Sequence, residues 1–509
     1  MADYLLSFDI GTSSCKTVLF DSSLKIIASA SAEYQTYYLN NGWQEQDAND
    51  WWQAMITTTR EILDTTTIDP SAIAGLGIDS MSSMALAVNK QGQPIRKGPI
   101  WSDRRAEKEA AYLSNTAGDA AETINQNRFD AASFAAKILW YKNNEPETYK
   151  QAEYFFHCNG YLVYKLTGIA TTDVSECGLS NLCNTKNSSW AEELFIPAGI
   201  SPAKLPKIIE SSEIAGTITR EAALEIGLTP GTPVIAGAMD NTAAVLGLGL
   251  SRNGEAYISA GTATNTGICI DSPVNVDNSL LLYRSAIPGL WLINGGVDFG
   301  GAGMRWLKNI TGLSYQEIDA LAAESSPFDH NPIFLPYLTG QRAPLWNTHS
   351  RGVFFGLNPD TGSKQMIRSV MESIAFGIRW VFEMIEQKGF TIADIRMTGG
   401  CANSPPWLAI FAEILGHPVL VPGEQDASTL GTAILTGVGT GMFSSFENAL
   451  KLLTIRDTHT PSKNSRTEEF YNETFSLYKT LYSKSQKEMA VLSKIRENFG
   501  EQYESSSII

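Results

Sequence analysis

The chain has no run approaching the roughly 20 apolar residues of a membrane helix. It also has no basic leader or cleavage-type segment ahead of its first apolar run. The expectation is therefore a cytoplasmic protein with no membrane partner. Positive charge is scarce: 38 Lys and Arg stand against 54 Asp and Glu, a formal net charge of −16. That excess repels polyphosphate backbones and argues against nucleic acid as a main partner. Cysteine is sparse. Cys15, Cys158, Cys177, Cys183, Cys269 and Cys401 form no C-x-x-C pair, which predicts scattered reduced thiols, not a disulfide framework or a zinc site. The five histidines (His157, His330, His349, His417 and His459) are dispersed, none at metal spacing from Cys or Glu. No Gly-x-Ser-x-Gly elbow occurs. Zinc-enzyme and serine-hydrolase chemistries are thus poorly supported.

What is present is globular: 43% hydrophobic and 18% charged over 509 residues, too long for one ordinary core. The most telling segment is residues 4–20. An apolar strand delivers Asp9, turns at Gly11, passes Thr12, Ser13 and Ser14, and leaves through Lys16 along a second strand. Turn N–H groups and hydroxyls can donate to phosphate oxygens, and Asp9 can hold a hydrated magnesium ion. It is not a Walker loop, because no Gly-Lys-Ser/Thr follows. An ordinary hairpin with a polar turn has the same outline.

Further strands are predicted at Ile26–Ser31, Ile73–Asp79 and Ala85–Asn89. Helices are predicted at Asp50–Leu63, capped by Asn49 or Asp50, and at Arg104–Ser114, Ala132–Asn143 and Asn159–Leu166. Residues 170–172 read as irregular. Pro233–Asp240 is a short buried strand ending in another carboxylate. The second half repeats the opening beat: a strand at Glu255–Ser259, a Gly261-Thr262 turn and a strand at Thr264–Ile270. Two halves sharing one fold are expected. A long helix at 364–388, a strand at 395–398, the Gly399-Gly400 turn, helices at 406–415 and 428–437, and a charged helical tail at 467–498 follow. The pattern places domains at 1–249 and 250–455, with a tail at 456–509.

Several motifs now converge. Asp9-Ile-Gly-Thr12-Ser13, Gly42-Trp43-Gln44-Glu45-Gln46-Asp47 with its Trp51-Trp52 helix, Trp101-Ser102-Asp103-Arg104-Arg105 and Gly237-Ala-Met-Asp240-Asn241 resemble the motifs of the FGGY carbohydrate kinase family. So does the spacing from Gly352-Val-Phe-Phe-Gly-Leu to Ser369-Val-Met-Glu372. Within that family the chain is most similar to xylulokinase-like pentulose kinases.

The resemblance implies an α/β fold of two actin-like (ribonuclease H-like) ATPase domains around a central cleft. It implies ATP and Mg²⁺ as cofactors and a small ketose or related polyol as substrate. Asp240 would be the catalytic base; an aspartate capping the following helix fits the same spacing. Asp9, with Asp240, would hold the metal. Thr12, Ser13 and Lys16, then Gly261 and Thr262, would meet the phosphates, with Gly301 lining the nucleotide site. Gly400, Cys401 and Asn403 would pack on adenine and ribose, although a plain strand-to-helix turn would use the same residues. Arg342 is either structural or a reach towards the substrate. Trp43, Gln44, Asp79, Ser82, Ser83, Asp103 and Asn241 are the sugar contacts. Where xylulokinases carry Gln-Met-His-Gly, this chain has Met81-Ser82-Ser83-Met84, which puts D-xylulose itself in question. A homodimer is compatible with this reading. The rivals are a non-catalytic actin-like ATP switch and a sugar sensor.

Overall fold

The computed structural model describes residues 3–499 apart from 40–41, 262–263, 277–279, 339, 342, 344 and 425. Thr262 and Arg342, both singled out above, lie outside the described residues. The chain forms two compact units. One comprises Met1–Asn253, Cys269–Ile293 and Gly423–Thr454; the other comprises Gly254–Ile268, Asn294–Pro422 and Ile455–Ile509. Residues 423–454, assigned by pattern to the second half, thus pack with the first unit. Residues 455–509, read mainly as a separate tail, group with the second.

The first unit is organised by one sheet. Tyr4–Ile10, Ser14–Asp21 and Ile26–Glu33 form an antiparallel meander. Ile73–Ser80 lies parallel to the first strand, Pro233–Ile235 parallel to that, and Ile214–Thr217 closes the edge antiparallel. Side chains alternate across the first strand, as its pleat requires. Leu6, Phe8 and Ile10 enter one core with Trp51, Trp52, Met55 and Ile62 of the helix Ala48–Thr66. Leu5 enters another core with Val18, Phe20, Leu246, Leu430 and Ile434. Each such side chain removed from water stabilises the fold by roughly 1.5–3 kcal/mol. The helix Ala48–Thr66 starts earlier than its apolar spacing suggests, because Asp47, in extended backbone, accepts from the Asn49 N–H at 3.0 Å.

Behind this sheet, the helices Asp240–Gly247 and Ala427–Gly439 pack backbone to backbone. A Cβ on Gly431 would lie 1.8 Å from the Ala243 carbonyl oxygen, and one on Gly247 would lie 1.9 Å from that of Ala427. Only glycine fits at either position.

Two expectations are corrected. Residues 170–172 are not irregular: Thr171–Asp173 is a strand, parallel to Lys207–Ile209. Its polar composition hides it, since both threonines and the aspartate are buried. The cysteines are not all free. Cys177 and Cys183 form a disulfide with Cα atoms 5.4 Å apart. The single-turn helix Cys177–Ser180 and left-handed Asn181 (φ 56°) fold the chain back on itself there. Asn125 Nδ2 ties the Cys183 carbonyl at 3.0 Å. Nothing in the spacing announces that reversal, and the redox argument drawn from scattered thiols loses its premise.

The second unit repeats the strand logic. Glu255–Ala260 pairs antiparallel with Thr264–Ile270 and parallel with Asp394–Thr398. Val419–Pro422 is parallel to the latter, and Ile455–His459 closes the edge antiparallel. Hairpin, parallel, parallel, antiparallel edge is the same sequence of pairings as in the first unit. Ser363–Glu386 buries one long face, from Ile367 to Ile385. Ser465–Phe499 docks through Tyr471, Phe475, Tyr478 and Tyr482, with the Tyr478 and Tyr337 hydroxyls 2.8 Å apart. Among the described residues, no helix is long and apolar enough to cross a membrane.

Gly431→Val should force the two first-unit helices apart and destabilise the protein by about 1–3 kcal/mol or more; thermal unfolding reads this directly. Denatured without reductant, the chain should take up four equivalents of an alkylating reagent, one for each free cysteine. Reduction should expose two more, measured by mass spectrometry.

Candidate active site

Strand register brings the carboxylates together. Asp9 on the first strand sits opposite Asp79 on its parallel neighbour, and Asp79 sits opposite Ala238, two residues before Asp240. Asp240 opens the helix Asp240–Gly247 as its first residue. The preceding residue, Met239, occupies the cap position and makes no side-chain cap bond. Asp240 Oδ1 accepts its neighbour's N–H, from Asn241 at 2.5 Å. The carboxyl is thus not spent as a helix cap.

The helix Ala427–Gly439 supplies the donors that make this crowding tolerable. Ser428 and Thr432, one turn apart, share a face. Ser428 Oγ donates to Asp9 Oδ2 at 2.8 Å, and Thr432 Oγ1 donates to Asp79 Oδ2 at 2.6 Å. Asp79 is fully buried and its Oδ1 has no hydrogen-bond partner among the described residues. Lys16, expected to meet phosphate, is ion-paired with Asp426 while 42% exposed.

Burial and mutual repulsion raise the acids together. Asp9 is raised, first by desolvation and then by the Asp426 charge against the Ser428 bond. Asp79 is held well above the carboxylate range by burial and the Asp9 charge. Asp240 is pushed up to about 7 by burial and Asp9, opposed by the Asn241 N–H.

A second turn approaches Asp240 from the other side. Asp173 caps the short helix Val174–Glu176, accepting from Ser175 N at 2.8 Å. Ser175 Oγ donates to Asp173 and accepts from Met239 N at 2.8 Å. Asn159 braces the same carboxylate at 2.7 Å, while its backbone N–H donates to Ser80 Oγ at 3.0 Å. Glu176, 1% exposed, accepts from Ser82 Oγ. Ser83 takes a left-handed conformation (φ 58°), and its carbonyl accepts from buried Lys137 Nζ, which also donates to Ile100 O at 2.7 Å. Burial lowers the Lys137 ammonium to about 7.

The remaining first-unit candidates are divided. Asp103 is fully buried. Its oxygens accept from Gln44 N at 2.6 Å, Arg105 N and Nε both at 2.9 Å, and an Arg105 terminal nitrogen at 2.8 Å. Its carboxylate is therefore occupied in holding the Trp43-Gln44 loop. Arg105 lies over the Trp43 ring at 4.1 Å. Gln44 Oε1 accepts from Ser102 Oγ at 2.5 Å. Half-exposed Trp101 donates to Thr12 Oγ1 at 3.1 Å, joining the first turn to the Trp101 loop; Ser13 is exposed. Asn241 Nδ2 donates to the Tyr283 hydroxyl.

In the second unit Gly261 and Gly301 do meet: the Gly301 N–H, at the start of the helix Gly301–Thr311, donates to Gly261 O at 2.8 Å. Gly399 (φ 90°) turns against the neighbouring strand Glu255–Ala260, where a Cβ would sit 2.4 Å from Ala260 O; the side of Gly400 is open. The Cys401 thiol is buried and pushed up to about 12, hence inert. Asn403 is exposed and its Oδ1 accepts from Arg456 at 3.3 Å.

Sequence reasoning gave no site role to Asp426, Ser428, Thr432, Lys137, His157, Asp173 and Glu176. Only Ser428 and Thr432 carried a signal, two hydroxyls at helical spacing.

Sheets of this repeated topology, with acidic side chains gathered at one strand end, define the actin-like phosphotransferase class. The chain belongs to the FGGY family of carbohydrate kinases: residues 4–247 match its N-terminal domain and 256–440 its C-terminal domain. It is an FGGY sugar kinase that uses ATP. It is 28% identical to a gluconokinase of Bacillus subtilis over 92% of this chain and 94% of that one. It is 26% identical to a xylulose kinase of Staphylococcus epidermidis over 95% and 97%. A solved structure described as a xyloylose kinase from Brucella ovis superposes with a TM-score of 0.88 at 26% identity, covering 95% of this chain and 99% of that one.

Asp79→Asn removes a carboxyl whose native pKa is raised. In the wild type, folding favours the protonated form, so stability contributed by that proton is lost as pH rises from the unfolded pKa of about 4. The Asn variant escapes that loss. Its thermal midpoint relative to wild type should rise between pH 4 and pH 8, measured by calorimetry.

Proposed function

We propose that this kinase moves the γ-phosphate of ATP to a hydroxyl of a small ketose or related polyol, with Asp240 as the base that receives the hydroxyl proton. The observation carrying the reading is the Asp240 carboxyl itself. It lies half-buried at a strand-to-helix junction, makes no helix-cap bond, and is poised near pH 7 beside Asp9. Such a base is matched to its task, because it is ionised enough to orient an alcohol and basic enough to take its proton.

The donor set fits magnesium. Asp9 and Asp240 offer hard oxygens, and the repulsion between them is what a divalent cation relieves. Among the described residues no cluster of three or more acidic, histidine or cysteine ligands forms a cage. Magnesium in phosphoryl transfer needs none, being held by one or two carboxylates with phosphate oxygens and water. When bound it would neutralise charge on the phosphates. On this reading the Thr12-Ser13 turn contributes N–H and hydroxyl donors to phosphate, while Gly261, Gly301 and Gly399-Gly400 leave backbone room for the nucleotide. Ser82, Ser83, Gln44 and Trp43 would face the acceptor. The named relatives act on gluconate and xylulose, so the acceptor class is polyhydroxylated, and the serines here favour hydroxyl recognition.

Asp240→Asn should keep ATP affinity while kcat falls by about 10²-fold or more. In the wild type, kcat/KM for the acceptor should fall as pH drops below about 7 and Asp240 takes up its proton. A coupled ADP-release assay measures both; full turnover by the Asn variant refutes the assignment.

A further inference from the structure

The Val174–Glu176 turn carries a carboxyl to which neither the family motifs nor the proposed chemistry gives a task. Glu176 is 1% exposed, yet only one of its oxygens is engaged: Oε2 accepts the Ser82 hydroxyl proton, while Oε1 has no partner among the described residues. His157 Nδ1 lies 3.3 Å from Oε2, and neither ring nitrogen makes a hydrogen bond among the described residues. The ring is stacked on Phe134 at 4.2 Å. The same turn holds the residue before the proposed base, since Ser175 Oγ accepts from Met239 N at 2.8 Å. One three-residue turn therefore fixes both the backbone leading into Asp240 and the hydroxyl of Ser82.

The consequence lies in hydrogen-bond polarity. A serine hydroxyl has one proton and two lone pairs. With its proton committed to Glu176, Ser82 presents only lone pairs to whatever lies beside it. It then acts as an acceptor for an alcohol O–H and cannot donate to a carbonyl or carboxylate.

We propose that Glu176 is a positioning residue of the acceptor site: by taking the Ser82 proton it makes Ser82 a fixed hydrogen-bond acceptor for a hydroxyl of the sugar. This rests on the reading of Ser82 as an acceptor contact. Glu176 itself does not touch the substrate, since it is walled off from solvent. The groups facing it are Asp173, which caps its own turn, Asp240 at the start of the helix Asp240–Gly247, and His157 and Cys158 on a third segment, with Lys137 acting on His157. Burial, then the Asp173 charge, hold Glu176 well above the usual carboxylate range, and burial keeps His157 neutral at about 3. What Ser82 requires of the side chain is an acceptor oxygen at the Oε2 position.

That distinguishes three variants. Glu176→Leu fills the space without an acceptor and frees the Ser82 proton; KM for the sugar should rise about tenfold with KM for ATP unchanged. Glu176→Gln keeps a carbonyl oxygen in place and should recover the affinity to within about threefold of wild type. Ser82→Ala, which removes one hydroxyl and cannot unfold the turn, should match Glu176→Leu, and the double variant should be no worse than either single one. The assay is acceptor-dependent ADP release with xylulose, gluconate and glycerol. Equal damage by Gln and Leu overturns the inference, as do additive effects of Ser82→Ala and Glu176→Leu, or an unchanged sugar KM in all three variants. Should Glu176→Leu fail to fold, Ser82→Ala against Glu176→Gln decides the matter alone: the former must raise the sugar KM and the latter must not. If the wild type releases no ADP with any acceptor, the kinase reading falls and this inference falls with it.

Discussion

Packing Asp9, Asp79 and Asp240 at one end of a sheet is the constraint around which the first unit is built. Parallel register sets Asp9 against Asp79 and leaves Asp240 two residues past the strand position beside Asp79. Like charges at such spacing cannot all ionise in a dry site. The fold answers with hydroxyl donors from Ser428 and Thr432, an ion pair of Lys16 with Asp426, and raised acid pKa values. Gly77 serves the same end, because a Cβ there would lie 2.8 Å from Thr432 Cγ2 and hold the hydroxyl-bearing helix away from the strand of Asp79. Perturbed acids are characteristic of working sites, and here the perturbation has a named geometric source.

The two units share a sheet topology but are specialised differently. The first carries the acids, the Ser82–Glu176 contact and the Asp103-anchored Trp43-Gln44 loop. The second offers glycine turns at Gly261, Gly301 and Gly399-Gly400, where backbone and not side chains would meet a ligand. Phosphoryl transfer needs positioning and charge neutralisation more than covalent help from the protein. A fold that repeats one strand–turn–strand unit and changes the residues at its turn meets that need with few parts.

Much of this was legible in the amino-acid order. Apolar runs with short polar turns gave the hairpins at 4–20 and 255–270, and Asp9 and Asp240 stood out because each ends a buried strand. Gly261 stood out from the repeated beat, but its contact with Gly301 did not. What escaped notice depended on long-range geometry. Glu176 and Asp173 sit in a polar stretch whose burial no periodicity reveals. The Cys177–Cys183 bond depends on a left-handed Asn181. Asp103 read as a sugar contact because it is a carboxylate in a matching motif; that its oxygens are taken up by Gln44 and Arg105 is a fact of folding, as is the committed state of Lys16. Residues 423–454 join the first unit because two hydroxyls and two glycines fit there, a complementarity spread over some 400 positions.

The claim beneath all of this is that neighbouring acids, crowded together at one strand end, hold one carboxyl near pH 7. Carbon-13 NMR titration of the Asp240 carboxyl, in wild type and in Asp9→Asn, measures it directly. Titration near pH 7 that moves downward when the Asp9 charge is removed is the predicted result. A wild-type midpoint at the ordinary aspartate value of about 4, unmoved by Asp9→Asn, would contradict the account.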